Sequence, residues 1–74
     1  MKAIVWSKDD CPYCVEAKTI LKSKGYEIEE RGIGAPYLKE DLLAVLPDAK
    51  TVPQIFLDDQ YIGGCDDLKK HFGI

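Results

Sequence analysis

The chain opens on a continuous apolar run, Ala3-Ile4-Val5-Trp6, with β-branched and aromatic members, so Lys2 to Ser7 reads as a buried strand. Lys8-Asp9-Asp10 is a polar loop. From Val15 to Lys24 the spacing turns helical: Ala17, Ile20 and Leu21 fall on one face, with Lys18 and Lys22 on the other. Pro12 suits the first turn of that helix, where its missing N–H is not required, and Gly25 suits the C′ position. Tyr26-Glu27-Ile28-Glu29-Glu30 alternates, which predicts a second strand with Tyr26 and Ile28 on one face. A helix between two strands is a βαβ unit, whose strands run parallel.

Arg31 to Ala35, which includes Gly32 and Gly34, predicts a loop. A second helix is expected from about Pro36 to Leu46, with Leu38, Leu42, Val45 and Leu46 as its stripe and Pro47 as its stop. Gln54 to Leu57 reads as a third strand and Asp58-Asp59-Gln60 as a turn. Tyr61-Ile62 starts a fourth, antiparallel strand that Gly63-Gly64 ends. Cys65-Asp66-Asp67 then opens a short last helix, with an acidic residue available as cap and Leu68 and Phe72 inward. The order β-α-β-α-β-β-α predicts one α/β domain over residues 1–74, a four-stranded mixed sheet with three helices. Trp6 and Phe56 read as core aromatics.

At 74 residues the chain is long enough for one small core and no more. Its net charge is −3 and it has no basic block, which argues against a surface that tracks nucleic-acid phosphates. No apolar run approaches the roughly 20 residues a membrane helix needs. The first residues enter directly into a strand pattern, without an apolar leader and small-residue cleavage site, so a cytoplasmic location is expected. Three cysteines leave one over and make no secreted disulfide framework. In a reducing compartment a close pair points to catalysis or metal binding rather than to a structural disulfide.

That pair is Cys11-Pro12-Tyr13-Cys14, set between the first strand and the first helix. The placement puts Cys11 at a helix N-terminus, where free N–H groups and the positive end of the macrodipole favour an anion. Cys11 is therefore expected to have a lowered pKa and to be nucleophilic near neutral pH. Cys14, one turn on and facing inward, is the more protonated partner of a reversible dithiol–disulfide switch. A zinc site would need a second ligand pair, and only Cys65 and His71 remain, without finger spacing. Cys65 reads as a small buried residue at a tight helix start, and His71 as a solvated residue suited to a helix end.

Three ordered blocks resemble the glutaredoxin family: Lys8 with Cys11-Pro12-Tyr13-Cys14, then Thr51-Val52-Pro53-Gln54-Ile55-Phe56, then Gly63-Gly64-Cys65-Asp66-Asp67. The resemblance spans nearly the whole chain and implies the thioredoxin fold. It implies a glutathione-dependent thiol–disulfide oxidoreductase of the dithiol type, with Cys11 as nucleophile and Cys14 resolving mixed disulfides. Glutathione would return the pair to the dithiol, each step passing through a mixed disulfide with no permanently bound cofactor and no metal. The implied glutathione-binding residues are Lys8, Tyr13, Thr51, Val52, Pro53, Gly64, Cys65 and Asp66. Pro53 would follow a cis peptide bond, so that the Val52 backbone pairs with the cysteinyl part of glutathione like an added strand. Gly64, Cys65 and Asp66 would hold the γ-glutamyl group through helix-start N–H donors and a carboxylate. Lys8 would face the glycine carboxylate, and Tyr13 would flank the tripeptide. Implied partners are glutathione and disulfide-containing or glutathionylated proteins, ribonucleotide reductase among the candidates, with the protein a monomer.

Two features depart from the family pattern. Some relatives carry a Gln or Arg on the second helix toward the glycine carboxylate. Here Glu40 falls in that register, beside Lys39 and Asp41, so that Lys39 substitutes or glutathione is held less well. Asp9 and Asp10 also set negative charge before Cys11, which opposes thiolate formation. Thiolate titration of Asp10→Asn is therefore expected to give a lower Cys11 midpoint than the unaltered chain. Two rivals share the blocks: reduction by a thioredoxin reductase instead of glutathione, and an iron–sulfur cluster held by Cys11 of two chains with two glutathiones. Pro12 weighs against the cluster, and an absorbance spectrum of anaerobically purified protein tests it.

Overall fold

The computed structural model describes residues 1–34 and 36–74. Strand β1 is Lys2–Ser7, helix α1 Pro12–Ser23, strand β2 Glu27–Gly32 and helix α2 Lys39–Val45. Strand β3 is Gln54–Leu57, strand β4 Gln60–Gly63 and helix α3 Cys65–Phe72. The predicted βαβ unit is present: β1 and β2 pair in parallel, from Lys2 opposite Glu27 to Ser7 opposite Gly32. β3 returns antiparallel to β1, and β4 antiparallel to β3, giving the sheet order β2-β1-β3-β4. This is the thioredoxin fold, with four strands in a mixed sheet and three helices.

Alternation along β1 decides the two faces of the sheet. Ala3 and Val5 join Ile55 and Leu57 of β3 against Ala17 and Leu21 of α1 and Cys65 and Leu68 of α3, forming the main core. Ile20, Tyr26, Ile28, Ile62 and Phe72 pack around it, as the sequence pattern requires of Ile20, Tyr26, Ile28 and Phe72. Trp6 is buried, with the Arg31 guanidinium 5.2 Å from its ring and Tyr37 edge-on at 5.6 Å. Phe56 is only half-buried, so it is less of a core residue than its chemistry suggests.

Several boundaries differ from the sequence reading. β2 runs on to Gly32, two residues into the expected loop, because β1 extends to Ser7 and offers a partner to each of them. Of that expected loop, Ala35 lies outside the described residues. α2 starts at Lys39, three residues late. Leu38 is extended (φ −110°, ψ 163°), and its N–H donates to the Asp41 carboxylate at 2.8 Å, which fixes the first turn there. The helical stripe shifts accordingly. Leu42 is buried and Leu46 half-buried, but Leu38 and Val45 are exposed, and Leu43 turns partly inward instead. Gln60 belongs to β4, since Asp58 and Asp59 complete the hairpin alone, both at positive φ as a two-residue primed turn requires. The N-cap of α3 is Gly64 and not an acidic residue; Asp67, three positions in, accepts from the Gly64 N–H at 3.2 Å. Among the described residues no helix is long and apolar enough to cross a membrane.

Candidate active site

The end of β1 delivers the chain through Lys8-Asp9-Asp10 to the start of α1, where Cys11 is the N-cap residue and Pro12 the first helical position. Asp10 has φ +56°, a conformation that Asp and Asn tolerate better than most residues. With its extended backbone (φ −115°, ψ 97°), Cys11 aims its sulfur back over the first turn, and the Cys14 N–H lies 3.2 Å from Cys11 Sγ. Cys11 and Cys14 form a disulfide, with Cα atoms 5.2 Å apart. Cys14 is the more enclosed of the two at 1% exposure, against 8% for Cys11, so an incoming group meets Cys11 first.

Cys11 Sγ is 3.8 Å from the Val52 carbonyl oxygen, and the Val52–Pro53 peptide is cis. Beside this contact lies a cleft of about 450 Å³. Of the residues singled out above, Tyr13, Thr51, Val52, Pro53, Gly64, Cys65 and Asp66 line it together, although they come from three separated blocks of sequence. Lys8 lines a neighbouring groove of about 210 Å³ with Lys39, Lys50, Leu42, Thr51 and Val52. Thr51 and Val52 belong to both depressions. Glu40 lines neither, and Lys39 is the α2 charge turned into the groove.

Sequence reasoning missed Gln54, Tyr61 and Asp67, which also line the cleft. Gln54 is buried, donates to the Thr51 carbonyl at 2.8 Å and accepts from the Tyr61 hydroxyl at 2.7 Å. It ties the Thr51–Pro53 segment to the hairpin. The available signal was a primary amide inside a short apolar strand, a group that burial obliges to find partners.

Cys65 is buried at the start of α3, and its thiol points to Glu16 Oε1 at 3.7 Å. Glu16 in turn pairs with Lys69 at 2.8 Å. Burial first, and then the Glu16 charge, push the Cys65 thiol up, so it is protonated at neutral pH. With the Cys11–Cys14 disulfide intact, iodoacetamide at pH 8 is expected to label Cys65 at least roughly tenfold more slowly than a free peptide thiol. Mass spectrometry against a denatured sample checks this; equal rates would contradict it. His71 is exposed, its ring edge-on to Phe72 at 5.1 Å. Among the described residues no three His, Cys, Asp or Glu side chains converge as metal ligands.

This geometry is a bridged cysteine pair at a helix N-terminus, its outer sulfur beside the Val52 carbonyl that precedes a cis proline. Comparison with known proteins agrees with it. Residues 3–62 match the family model for glutaredoxin. The chain is 45% identical over 64 residues to Glutaredoxin 3 of Escherichia coli strain K12, a match covering 86% of this chain and 77% of that protein. The solution structure of reduced Escherichia coli glutaredoxin superposes with a TM-score of 0.80 at 34% identity, covering 99% of this chain and 94% of the other. A crystal structure of buckwheat glutaredoxin in complex with glutathione gives a TM-score of 0.76 at 27% identity, covering 96% and 69%. The chain belongs to the glutaredoxin family, and its chemistry is that of a thiol–disulfide oxidoreductase.

Proposed function

We propose that the protein is a glutathione-dependent dithiol glutaredoxin, reducing protein disulfides and glutathione mixed disulfides through Cys11 and Cys14. One observation carries the reading: the sulfur of Cys11 sits against the Val52 carbonyl at the edge of a cleft whose far wall is a helix start with Asp66 beside it. An extended tripeptide thiol suits that arrangement. Its cysteinyl backbone would pair with Val52. Its α-carboxylate would take the free N–H groups at the start of α3, and its ammonium the Asp66 carboxylate. Tyr13 would lie along one side. The glycine carboxylate would meet Lys8 and Lys39, so Lys39 supplies the charge that Glu40 does not. The glutathione bound by the buckwheat relative supports the same assignment.

In the reduced protein the Cys14 N–H that now faces Cys11 Sγ at 3.2 Å would donate to the Cys11 thiolate. That thiolate attacks a substrate disulfide, forming a mixed disulfide and expelling the other sulfur as thiolate. With a glutathionylated protein, Cys11 takes up the glutathione and the protein thiol leaves. With a protein disulfide, Cys14 closes on Cys11 and releases the reduced substrate. Two glutathiones then restore the dithiol. The cycle suits a reducing compartment such as the cytoplasm, with a monomer acting on glutathionylated or disulfide-bonded proteins, ribonucleotide reductase among the candidates.

The experiment is turnover of a glutathione mixed disulfide with two electron sources in parallel: glutathione with glutathione reductase, and a thioredoxin reductase with NADPH. Rapid turnover in the first and none in the second is expected. Turnover only with the flavoenzyme would replace glutathione as the reductant and sink the assignment.

A further inference from the structure

A third depression, about 690 Å³, is lined by both Cys11 and Cys14 together with the charged side chains of Lys8, Asp9, Asp10, Lys18 and Glu30. Lys18 stands four residues after Cys14 on α1, so the two share a helix face one turn apart. Lys18 Nζ does not swing freely. It donates to Glu30 Oε2 at 2.7 Å, and the same oxygen accepts from the buried Ser7 hydroxyl at 2.7 Å. Glu30 is thus anchored to β1 and holds the ammonium from β2. Those two hydrogen bonds, from Lys18 first and Ser7 second, keep the Glu30 carboxyl below the usual carboxylate range, with Lys22 adding a smaller charge effect. The Glu30 carboxylate is therefore ionised at neutral pH.

The attack of Cys11 leaves this pair unexplained, but the resolving step needs something of the kind. In the mixed disulfide Cys11 carries no charge, and Cys14 must lose its proton in an enclosed setting that disfavours a thiolate. The helix N-terminus favours the Cys14 anion less than that of Cys11, which caps it. Asp9 and Asp10 oppose it from the preceding loop, and Glu30 opposes it from β2. Lys8 and Lys18 are the cations on this depression, and Lys18 is the one on the helix face of Cys14. The Glu16–Lys69 pair on the α3 side is self-compensating and engaged with Cys65.

We infer that Lys18 and Glu30 are positioning residues for the resolving step: the Lys18 ammonium favours the Cys14 thiolate, and Glu30 limits that effect by holding the ammonium on β2. In the step itself Cys14 gives its proton to solvent, and the thiolate attacks Cys11 Sγ. The bond from Cys11 to the substrate sulfur breaks, and the substrate leaves as a thiolate that is then protonated. The internal disulfide takes the place of the mixed one, so Cys14 is oxidised as the substrate sulfur is reduced.

The test uses no glutathione and so stands apart from the choice of reductant. Reduced protein is mixed with one equivalent of 5,5′-dithiobis(2-nitrobenzoate). The first coloured thiolate reports attack by Cys11, and the second reports closure by Cys14. The second phase is recorded against pH. Lys18→Met is expected to move its midpoint upward and to slow closure about threefold to tenfold at pH 7. Glu30→Gln is expected to move the midpoint downward, because it removes a negative charge and releases the lysine. Lys18→Arg should restore the original midpoint. A merely structural role for the pair would shift the Lys18→Met and Glu30→Gln midpoints alike. A shift in the same direction for both, no shift in either, or a second phase that changes only in proportion to the first overturns the inference.

Discussion

Cys11→Ser is expected to lose disulfide reduction by roughly a thousandfold or more, the scale seen when an enzyme's nucleophile is removed. A hydroxyl at the start of α1 can accept the Cys14 N–H as well as the sulfur does, so the helix cap and the fold survive. Serine cannot ionise near neutral pH, and it forms no mixed disulfide. Cys14→Ser should behave differently, because exchange with a glutathione mixed disulfide needs one thiolate and no resolving group. That variant is expected to keep turnover on glutathionylated substrates and to lose it on protein disulfides, where Cys11 remains trapped. The check is a paired assay with both substrate types, with mass spectrometry of the trapped species. Comparable activity of Cys11→Ser on either substrate, or equal loss of both activities in Cys14→Ser, would remove the assigned roles.

Most of the fold was legible because the chain states it locally. The apolar run at Ala3–Trp6, the helical spacing through Ala17 and Leu21, and the alternation at Tyr26 and Ile28 are local signals. The three elements are present and these residues face the core or lie buried as read, although α1 begins at Pro12 and β2 at Glu27, one residue after Tyr26. The chain between β2 and β3 was not legible in the same way. Its leucines suit a longer helix from Pro36, but the deciding contact is a carboxylate, Asp41, accepting from the Leu38 backbone. Hydrophobic period does not register a cap of that kind. The reach of β2 to Gly32 likewise depends on the length of its partner, which no local pattern records. For the site, the sequence could name Tyr13, Val52 and Asp66 but could not show that they share one cleft. Their convergence is set by the β1–β3 pairing and by the turn from β4 into α3. Lys18 and Glu30 were still harder to find. As an outward helical lysine and a strand glutamate they look like ordinary surface charge, and only the parallel β1–β2 register brings Glu30 beside Ser7 and within reach of Lys18.

Gly63→Ala is expected to destabilise the protein by roughly 2–4 kcal/mol, from about 1–3 for backbone strain and about 1 for a damaged helix cap. Gly63 has φ +122°, a region in which a side chain is strained in any surroundings. The surroundings add to it. A Cβ there would meet the Asp67 carboxylate, with Cγ at 2.8 Å and Asp67 Cβ at 2.9 Å. The carboxylate cannot swing away at no cost, since it accepts from the Gly64 N–H and so secures the first turn of α3. Asp67 Cβ, fixed to the helix backbone, moves only if α3 moves. The register between β3 and β4 shifts just before Gly63, so this glycine also completes the bend that points the chain into α3. Gly25→Ala is the control: φ is +80°, but nothing lies within 4 Å of the added Cβ, so strain acts alone, at about 1 kcal/mol. Thermal unfolding should therefore separate the two variants. A Tm drop beyond about 10 °C is expected for Gly63→Ala and about half that or less for Gly25→Ala. If the cleft takes glutathione as proposed, the Michaelis constant for glutathione should rise only in Gly63→Ala, because Gly64, Cys65 and Asp66 line the cleft next to the position of the added methyl. Equal melting losses in the two variants would show that conformational strain alone fixes Gly63, and that the Asp67 contact contributes nothing.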